Sequence, residues 1–425
     1  MTDLLFLAHR IPYPPNKGDK VRSYHLLKHL AERYRVYLGA FVDDPSDWDQ
    51  AEKLQELCAQ SCLIALNPIH ARLRGLAGLL GGEPITLPFY RDAAMARWVE
   101  KILAHRSIER IAVYSSAVGQ YVPSQLRNGT RVVVDFVDVD SDKWRQYAAT
   151  RRWPASWVYR REARELLAWE RRLAARADVS AFVSGAEAAL FRRLAPEVAD
   201  KVTHVNNGVD LDYFSASREY PCPYPSGIEP VVFTGAMDYW ANVEAVEWFA
   251  REVFPAIRAR RPTAWFYVVG ARPRPEVQRL GALAGVRVTG TVDDVRPYLA
   301  HARVSVAPLR IARGVQNKIL EAMAMARPVI ATGLALEGIE PSPTPGTMSV
   351  DDARAMADQV LWCLREPAAA IALGTAGRAS VVEHYDWTRN LDRFTALLDE
   401  EEPHRRDGAK VKKINEPPDS LVRCG

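Results

Sequence analysis

Apolar and polar positions along the chain follow two alternating periods. Short continuous apolar runs at 4–8, 36–42, 111–114, 131–136 and 179–183 predict strands. Stretches 26–34, 95–104 and 160–176 space their apolar residues at helical intervals and predict helices between them. Strands alternating with helices imply βαβ units and parallel sheets covered on both faces. The pattern restarts after NNGVD at 206–210, with strands predicted at 231–234, 265–269, 286–289, 304–307 and 328–331. Residues 219–230, rich in proline and polar side chains, read as a linker. The chain therefore divides into an α/β half at 1–207 and another at 208–386. A cleft between two such halves is where a ligand binds. Residues 387–402 hold one last amphipathic helix, and 403–425 read as a disordered tail because they are polar, basic and without apolar periodicity.

Composition narrows the class without naming it. The 425 residues fit two or three domains. A 48% hydrophobic and 25% charged chain is globular. Its net charge of +4 is small and forms no basic stripe, which argues against a nucleic-acid partner. Cys58, Cys62, Cys222, Cys363 and Cys424 are scattered and odd in number, so neither a disulfide framework nor a zinc motif fits. That suits a reducing, cytoplasmic compartment. The N-terminus MTDLLFLAHRIPYPP reads as a buried strand rather than a signal peptide, and no run of 18 apolar residues would span a membrane.

Three segments carry candidate chemistry. The first is RIARGVQNKILEAMAMARPVIAT at 310–332, which follows the strand predicted at 304–307. Gly314 frees a tight turn, and a helix beginning near Val315 carries Lys318 and Glu321. An open helix N-terminus offers unpaired N–H groups and a positive dipole end to a diphosphate. Arg310, Arg313 and Lys318 add charge, and the Glu321 carboxylate can accept from a sugar diol. A surface helix with one basic turn would look the same. The second segment is PYPPNKGDKVR at 12–22, where Gly18 lets backbone amides approach a phosphate between flanking Lys17, Lys20 and Arg22. A plain proline-rich loop is the alternative. The third is DFVDVDSDKW at 135–144, at the carboxyl end of an apolar strand, where open α/β sheets place ligands. Asp138 and Asp140 are its candidate catalytic carboxylates, either of which can face the cleft, while Asp135 reads as structural. Their spacing is that of a DxD metal site, but such sites belong to single-domain transferases. Ser184 and Glu187 fit a capping box. Gly270 ends the strand at 265–269 with a tight turn that could adjoin a nucleotide base.

These residues resemble a known family. From NGVD at 207–210, through Gly235, Gly270 and Gly290, to EAMA at 321–324 and PVIAT at 328–332, the chain is similar to the C-terminal domain of group 4 glycosyltransferases. Those are retaining enzymes of GT-B fold, with two Rossmann-like doubly wound domains facing a cleft. The phrases HRIPYPPNKGD at 9–19 and DFVDVDSDKW at 135–144 resemble a bacterial subgroup of sugar transferases associated with exopolysaccharide and exosortase (PEP-CTERM) loci. The resemblance covers about residues 1–400. It implies an N-terminal acceptor-side domain and a C-terminal sugar-nucleotide-binding domain. It also implies Gly18 against the donor diphosphate, Glu321 on the ribose hydroxyls, and a final helix crossing back to the N-terminal domain. The chain departs from the family twice. Arg313 stands where a second glutamate usually holds the donor sugar. The segment GAMDYWAN at 235–242 lacks the cations that usually bind the diphosphate, so Arg310 and Lys318 are expected to replace them.

The function expected is sugar transfer from a nucleotide-sugar donor to a glycan or lipid-linked acceptor, with no cofactor and no metal. A GT-B sugar-nucleotide epimerase and a non-catalytic nucleotide-binding scaffold are the alternatives. A nucleotide-dependent dehydrogenase is not favoured, because no Gly-x-Gly-x-x-Gly follows the first strand. The donor-binding set is Gly18, Lys20, Gly235, Gly270, Arg310, Gly314, Lys318 and Glu321. Segment 144–176 interleaves nine arginines with Trp144, Trp153, Trp157 and Trp169. It reads either as peripheral contact with the inner face of the membrane or as an amphipathic helix packed on the sheet.

Overall fold

A computed structural model describes residues 1–15, 18–79, 81–312, 314–340 and 346–400. The expectations for Asn16, Lys17, Arg313 and the tail at 403–425 lie outside the described residues.

The first sheet has seven strands: β1 (Thr2–Ala8), β2 (Tyr34–Val42), β3 (Gln60–Ala65), β4 (Ile108–Tyr114), β5 (Arg131–Val137), β6 (Val179–Phe182) and β7 (Val202–His204). Their order is β3-β2-β1-β4-β5-β6-β7. The second sheet has β8 (Glu229–Thr234), β9 (Ala264–Val269), β10 (Val286–Gly290), β11 (Val304–Ala307), β12 (Val329–Ala331) and β13 (Thr347–Ser349), in the order β10-β9-β8-β11-β12-β13. Every pairing is parallel. Each is thus a doubly wound sheet whose order reverses once, between β1 and β4 and between β8 and β11. Ligands bind outside the carboxyl ends of the strands at such reversals.

All ten predicted strands are present. The three not predicted, β3, β7 and β13, are outermost in their sheets, where only one neighbour must be satisfied and a short run such as VTH suffices. The central strands read clearly because both faces are buried: Leu4 to Ala8 are at most 1% exposed, and Val231 to Phe233 are fully buried.

Two sequence boundaries move. The helix expected over 26–34 begins at Gly18 and runs to Ala31. The linker expected at 219–230 is packed on the second domain. Tyr224 is buried against Tyr267 and Tyr298 and donates its hydroxyl to Tyr298 O at 2.7 Å. Aromatic anchors override the proline-rich composition there.

The chain crosses between the domains twice, and the crossings lie side by side. Val209 N donates to Tyr385 O at 2.9 Å, and Asn390 Nδ2 donates to Asn207 O at 3.0 Å. Beyond them the helix Trp387–Asp399 packs on the first domain. Trp387 stacks on His25 at 4.5 Å, and Leu391, Phe394 and Leu398 join the core formed by Leu4, Leu26 and Val36. Arg33 and Tyr34 bond to Asp392 and Asp399 at 2.5 and 2.6 Å. The final helix therefore clips the two halves together.

Candidate functional site

A cleft of about 1020 Å³ lies where the two sheet reversals face each other. Its second-domain wall is built from the ends of β8, β9 and β11. Gly235 and Gly270 follow β8 and β9 with φ of 155° and 152°. A Cβ on Gly270 would sit 1.7 Å from Gly235 O, so the two loops meet only because this position has no side chain. After β11 the helix Asn317–Ala324 opens with no side-chain cap at Gln316, leaving its first N–H groups directed out of the helix. Lys318 and Glu321, one turn apart, both line the cleft.

That pair carries little internal compensation. The nearest polar contact of Lys318 among the described residues is Gln316 Oε1, at 3.4 Å from Nζ. Burial pushes the Lys318 ammonium down to about 8, against the attraction of Glu321. Burial pushes the Glu321 carboxyl up to about 7, against Lys318. Thr234 Oγ1 and Asn242 Oδ1 are buried beside them without a hydrogen bond among the described residues. Polar groups held dry and unpartnered around an open helix end are the arrangement of a site that awaits a polar ligand.

The first-domain wall is different. At the end of β5, Val137 adopts φ 69° and Asp138 N donates to Phe136 O at 3.0 Å, closing a tight turn. A β-branched residue rarely takes this conformation, which costs of order 1–3 kcal/mol, and here it aims Asp138 at the cleft. Asp138 faces Gly314 of the opposite domain, where a Cβ would lie 2.4 Å from its Oδ1. Lys143 joins Asp138 Oδ2 at 2.7 Å and Asp140 Oδ1 at 3.0 Å. Burial works against the Lys143 ammonium, but the two carboxylates outweigh it and hold its pKa well above the usual lysine value. Lys143 thus occupies the position a metal would take between two DxD carboxylates. Among the described residues no group of three or more His, Cys, Asp or Glu is placed to hold a metal ion.

Behind Asp138 and Asp140 lies a second cavity, of about 450 Å³, lined mostly by the first domain and closed by Gly314, Val315 and Asn317 of the second. His9, Tyr90, Tyr114, Phe136 and Trp144 form aromatic walls around it. Asp138, Lys143, Val315 and Asn317 line both cavities and form the waist between them.

The structure brings together Gly235, Gly270, Gly314, Lys318, Glu321, Asp138 and Asp140. Gly18 begins the helix whose flanking residues Pro15 and Val21 line the cleft. Two predicted donor residues fall elsewhere. Lys20 is 1% exposed and ion-paired with the equally buried Asp47, because its helix turns that face into the domain core. Arg310 lies outside the cleft lining, half-exposed, bonded to Glu244 at 3.3 Å and over the Trp248 ring. Arg22 is likewise structural: its Nε meets Asp135 at 2.8 Å and its Nη1 meets Asn207 at 3.0 Å, tying the first domain to the crossing strand. Asp135 is the buried structural carboxylate expected from sequence. Ser184 caps its helix, accepting from Glu187 N at 3.2 Å. The Glu187 carboxylate also takes Val139 N at 2.7 Å and so helps position the Asp138–Asp140 turn.

Sequence reasoning missed Arg272. It follows β9, lines the cleft near Gly235, and pairs with Asp238 at 2.8 Å while half-exposed. The cation absent after β8 is supplied by the neighbouring loop, and the signal was its place two residues after Gly270. Lys143 was also missed, although it lies five residues beyond Asp138.

With this geometry in place, comparison with known proteins is direct. Residues 229–366 match the family described as Glycosyl transferases group 1. No curated protein matches the chain. Sucrose-phosphate synthase from Thermosynechococcus elongatus superposes with a TM-score of 0.68 at 19% identity, over 93% of this chain and 98% of that one. Anabaena HepE in complex with UDP-glucose gives 0.63 at 14% identity, over 94% and 99%. WaaG, a glycosyltransferase involved in lipopolysaccharide biosynthesis, gives 0.64 at 14% identity, over 94% and 100%. No described helix is long and apolar enough to cross a membrane. Two facing doubly wound sheets give this chain a GT-B fold, and residues 229–366 form a glycosyl transferases group 1 domain within it.

Proposed function

We propose that the chain transfers a sugar, with retention of configuration, from a nucleoside-diphosphate sugar to a hydroxyl of a glycan or lipid-linked acceptor. The observation that carries this reading is the waist formed by Asp138, Lys143, Val315 and Asn317, which joins a charged cleft to an aromatic cavity. Aromatic walls suit the faces of a sugar ring. The second domain would take the donor. Lys318, Arg272 and the open end of the helix Asn317–Ala324 would stabilise the departing diphosphate, and Glu321 would accept from the ribose hydroxyls. Gly18, at the start of the facing helix, would add backbone donors. Two structures of similar fold support a nucleotide-sugar donor, since HepE was captured with UDP and with UDP-glucose.

The first domain would take the acceptor. Lys143 pairs with one oxygen of each of Asp138 and Asp140, which weakens either carboxylate as a nucleophile. Same-face attack with a donor phosphate oxygen as base therefore fits better than a double displacement. Asp138, whose Oδ1 has no hydrogen bond among the described residues, would orient the acceptor hydroxyl. With these cations at the diphosphate, no metal and no cofactor would be needed. A role in exopolysaccharide synthesis, close to the PEP-CTERM-associated transferases, follows from the phrases at 9–19 and 135–144. The protein would then work in the cytoplasm, with the exposed part of segment 144–176, around Trp153 and Trp157, in peripheral contact with the inner face of the cell membrane.

The test is a panel of sugar nucleotides with thermal shift and product analysis, with and without EDTA. One donor should raise Tm and release free nucleoside diphosphate in the presence of chelator. An isomerised sugar nucleotide without free diphosphate would favour the epimerase reading. Nucleotide binding with no turnover on any acceptor would favour a scaffold. Activity lost to EDTA and restored by magnesium or manganese would overturn metal independence.

A further inference from the structure

The helix Pro68–Gly78 has two faces that the fold treats in opposite ways. Ala71, Gly75 and Gly78 are buried, and a Cβ on Gly75 would meet Ile85 at 2.8 Å. This face packs on residues 84–89 of the first domain. The opposite face presents Ile69, Leu73 and Leu76, at 67%, 60% and 54% exposure. Spacing of i, i+4 and i+7 makes them one stripe. Isolated exposed aliphatic residues are ordinary, but a continuous stripe along one helix marks an interaction surface.

A second element lies beside it. Arg161 of the helix Ala155–Arg176 donates to Gly78 O and Glu83 O, each at 3.1 Å, so this helix begins next to the end of the first. One turn before Arg161, Trp157 is 52% exposed, and Trp153 is 81% exposed just ahead of the helix. Trp144 and Trp169 do not belong to this surface. Trp169 is buried and bonded to Ser116 O at 3.0 Å, and Trp144 packs on Tyr147 and Tyr159. Arg72, Arg74, Arg151, Arg152 and Arg160 are exposed around the apolar groups. No Asp or Glu occurs within 67–82 or 143–161.

We propose that this face is a docking surface for an anionic lipid bilayer. Ile69, Leu73, Leu76, Trp153 and Trp157 would enter the interfacial layer, with the arginines on lipid phosphates. Aliphatic side chains and tryptophans ringed by arginine, with the neighbouring Glu83 carboxylate paired to Arg91 at 2.8 Å, match the chemistry of such an interface. A second copy of this chain does not match it, because a two-fold contact would set the same arginines against each other. The surface also shares a support with the aromatic cavity. Glu162, next to Arg161, accepts from Thr86 N at 3.0 Å and from its hydroxyl at 2.7 Å, and Thr86 lines that cavity. The inference deepens the acceptor reading above and rests on it in one respect, since a lipid-linked acceptor could stay in the bilayer while its head group enters the cavity.

Vesicle sedimentation of the full chain tests this. Wild-type protein should be recovered with vesicles of equimolar phosphatidylglycerol and phosphatidylcholine, and not with phosphatidylcholine alone. The double substitution Ile69→Glu, Leu73→Glu should lower partitioning by at least about tenfold, since two aliphatic side chains can no longer be buried. Trp153→Ser with Trp157→Ser should lower it independently. Circular dichroism and sugar-nucleotide hydrolysis in solution should be unchanged in both variants, which separates this inference from the transferase reading. Equal recovery with both vesicle types, or undiminished binding by both variants, would overturn the proposal. So would an oligomer that dissociates on the glutamate substitutions, because the stripe would then be a protein interface.

Discussion

The two walls of the cleft carry similar charged groups and use them in opposite ways. In the first domain the described cations near the cleft are paired: Lys20 to Asp47, Arg22 to Asp135, Lys143 to Asp138 and Asp140. In the second domain Lys318 and Glu321 are half-buried, shifted toward neutrality, and held by little among the described residues. A buried charge with a partner is architecture, because removing either member leaves the other uncompensated. A charge kept partly dry without one is a cost that folding does not recover, and a ligand of opposite charge can. The difference teaches which motif residues to read as structure and which as chemistry, although both sets are basic residues beside loop glycines.

The sharpest way to break this comparison is to remove one charge from each wall. Arg22→Met should destabilise the chain by about 3–5 kcal/mol, since Asp135 is left buried and alone. Urea unfolding would measure it, and an unchanged midpoint would show that the first-domain ion pairs are not structural.

Lys318→Ala should behave in reverse. Stability should hold or rise, while affinity for the nucleoside diphosphate should fall by roughly 1.5–3 kcal/mol through loss of a charge-assisted hydrogen bond. Calorimetric titration with the free nucleotide reads this directly. An undiminished affinity would remove the diphosphate assignment.

Arg272 and Arg310 sharpen the comparison within one wall. Arg272→Ala should weaken nucleotide binding by about 1 kcal/mol, since a half-exposed cation is screened by solvent. Arg310→Ala, already paired with Glu244 outside the cleft lining, should change it by no more than about 0.5 kcal/mol. The reverse ranking would return Arg310 to the site.

The smallest effect is in pH. The folded-state pKa of Glu321 is raised to about 7 from 4.5, so between those values the folded chain holds a proton that the unfolded chain has released. Its contribution to stability is therefore full below about 4.5 and lost as pH rises through about 7. Glu321→Gln should flatten that part of the stability profile. Nucleotide affinity should decline above about 8 as Lys318 loses its proton, and the decline should shift upward in Lys318→Arg. A pH-independent affinity in the wild type would contradict the role of Lys318.

Much of the fold was legible, for a reason that individual strands make plain. Strand β1 is a run of apolar residues because both its faces are covered, and β8 repeats this in the second domain. The loops after them carry Gly18 and Gly235, so the ends of the reversal strands could be found by pattern. What misled was charge. Lys20, Arg22 and Arg310 sit in the right motifs, but at Lys20 and Arg22 a helix turns each residue about 100° from the last, Arg310 lies in the loop after β11, and their partners Asp47, Asp135 and Glu244 are remote in sequence. Arg272 was overlooked because its motif belongs to a different loop from the one that lacked a cation.

By itself the sequence determined two parallel α/β units, their central strands, the glycine-bearing loops at the sheet reversals and the Lys318–Glu321 helix. Those are local matters of period, continuous burial and backbone freedom. Only the tertiary structure decided which cations face the cleft, that Lys143 closes over Asp138 and Asp140, that the final helix clips the domains together, and that the stripe of helix Pro68–Gly78 is left uncovered. Each of these depends on what a side chain meets across space, and pairing between distant positions is not written in the period of either.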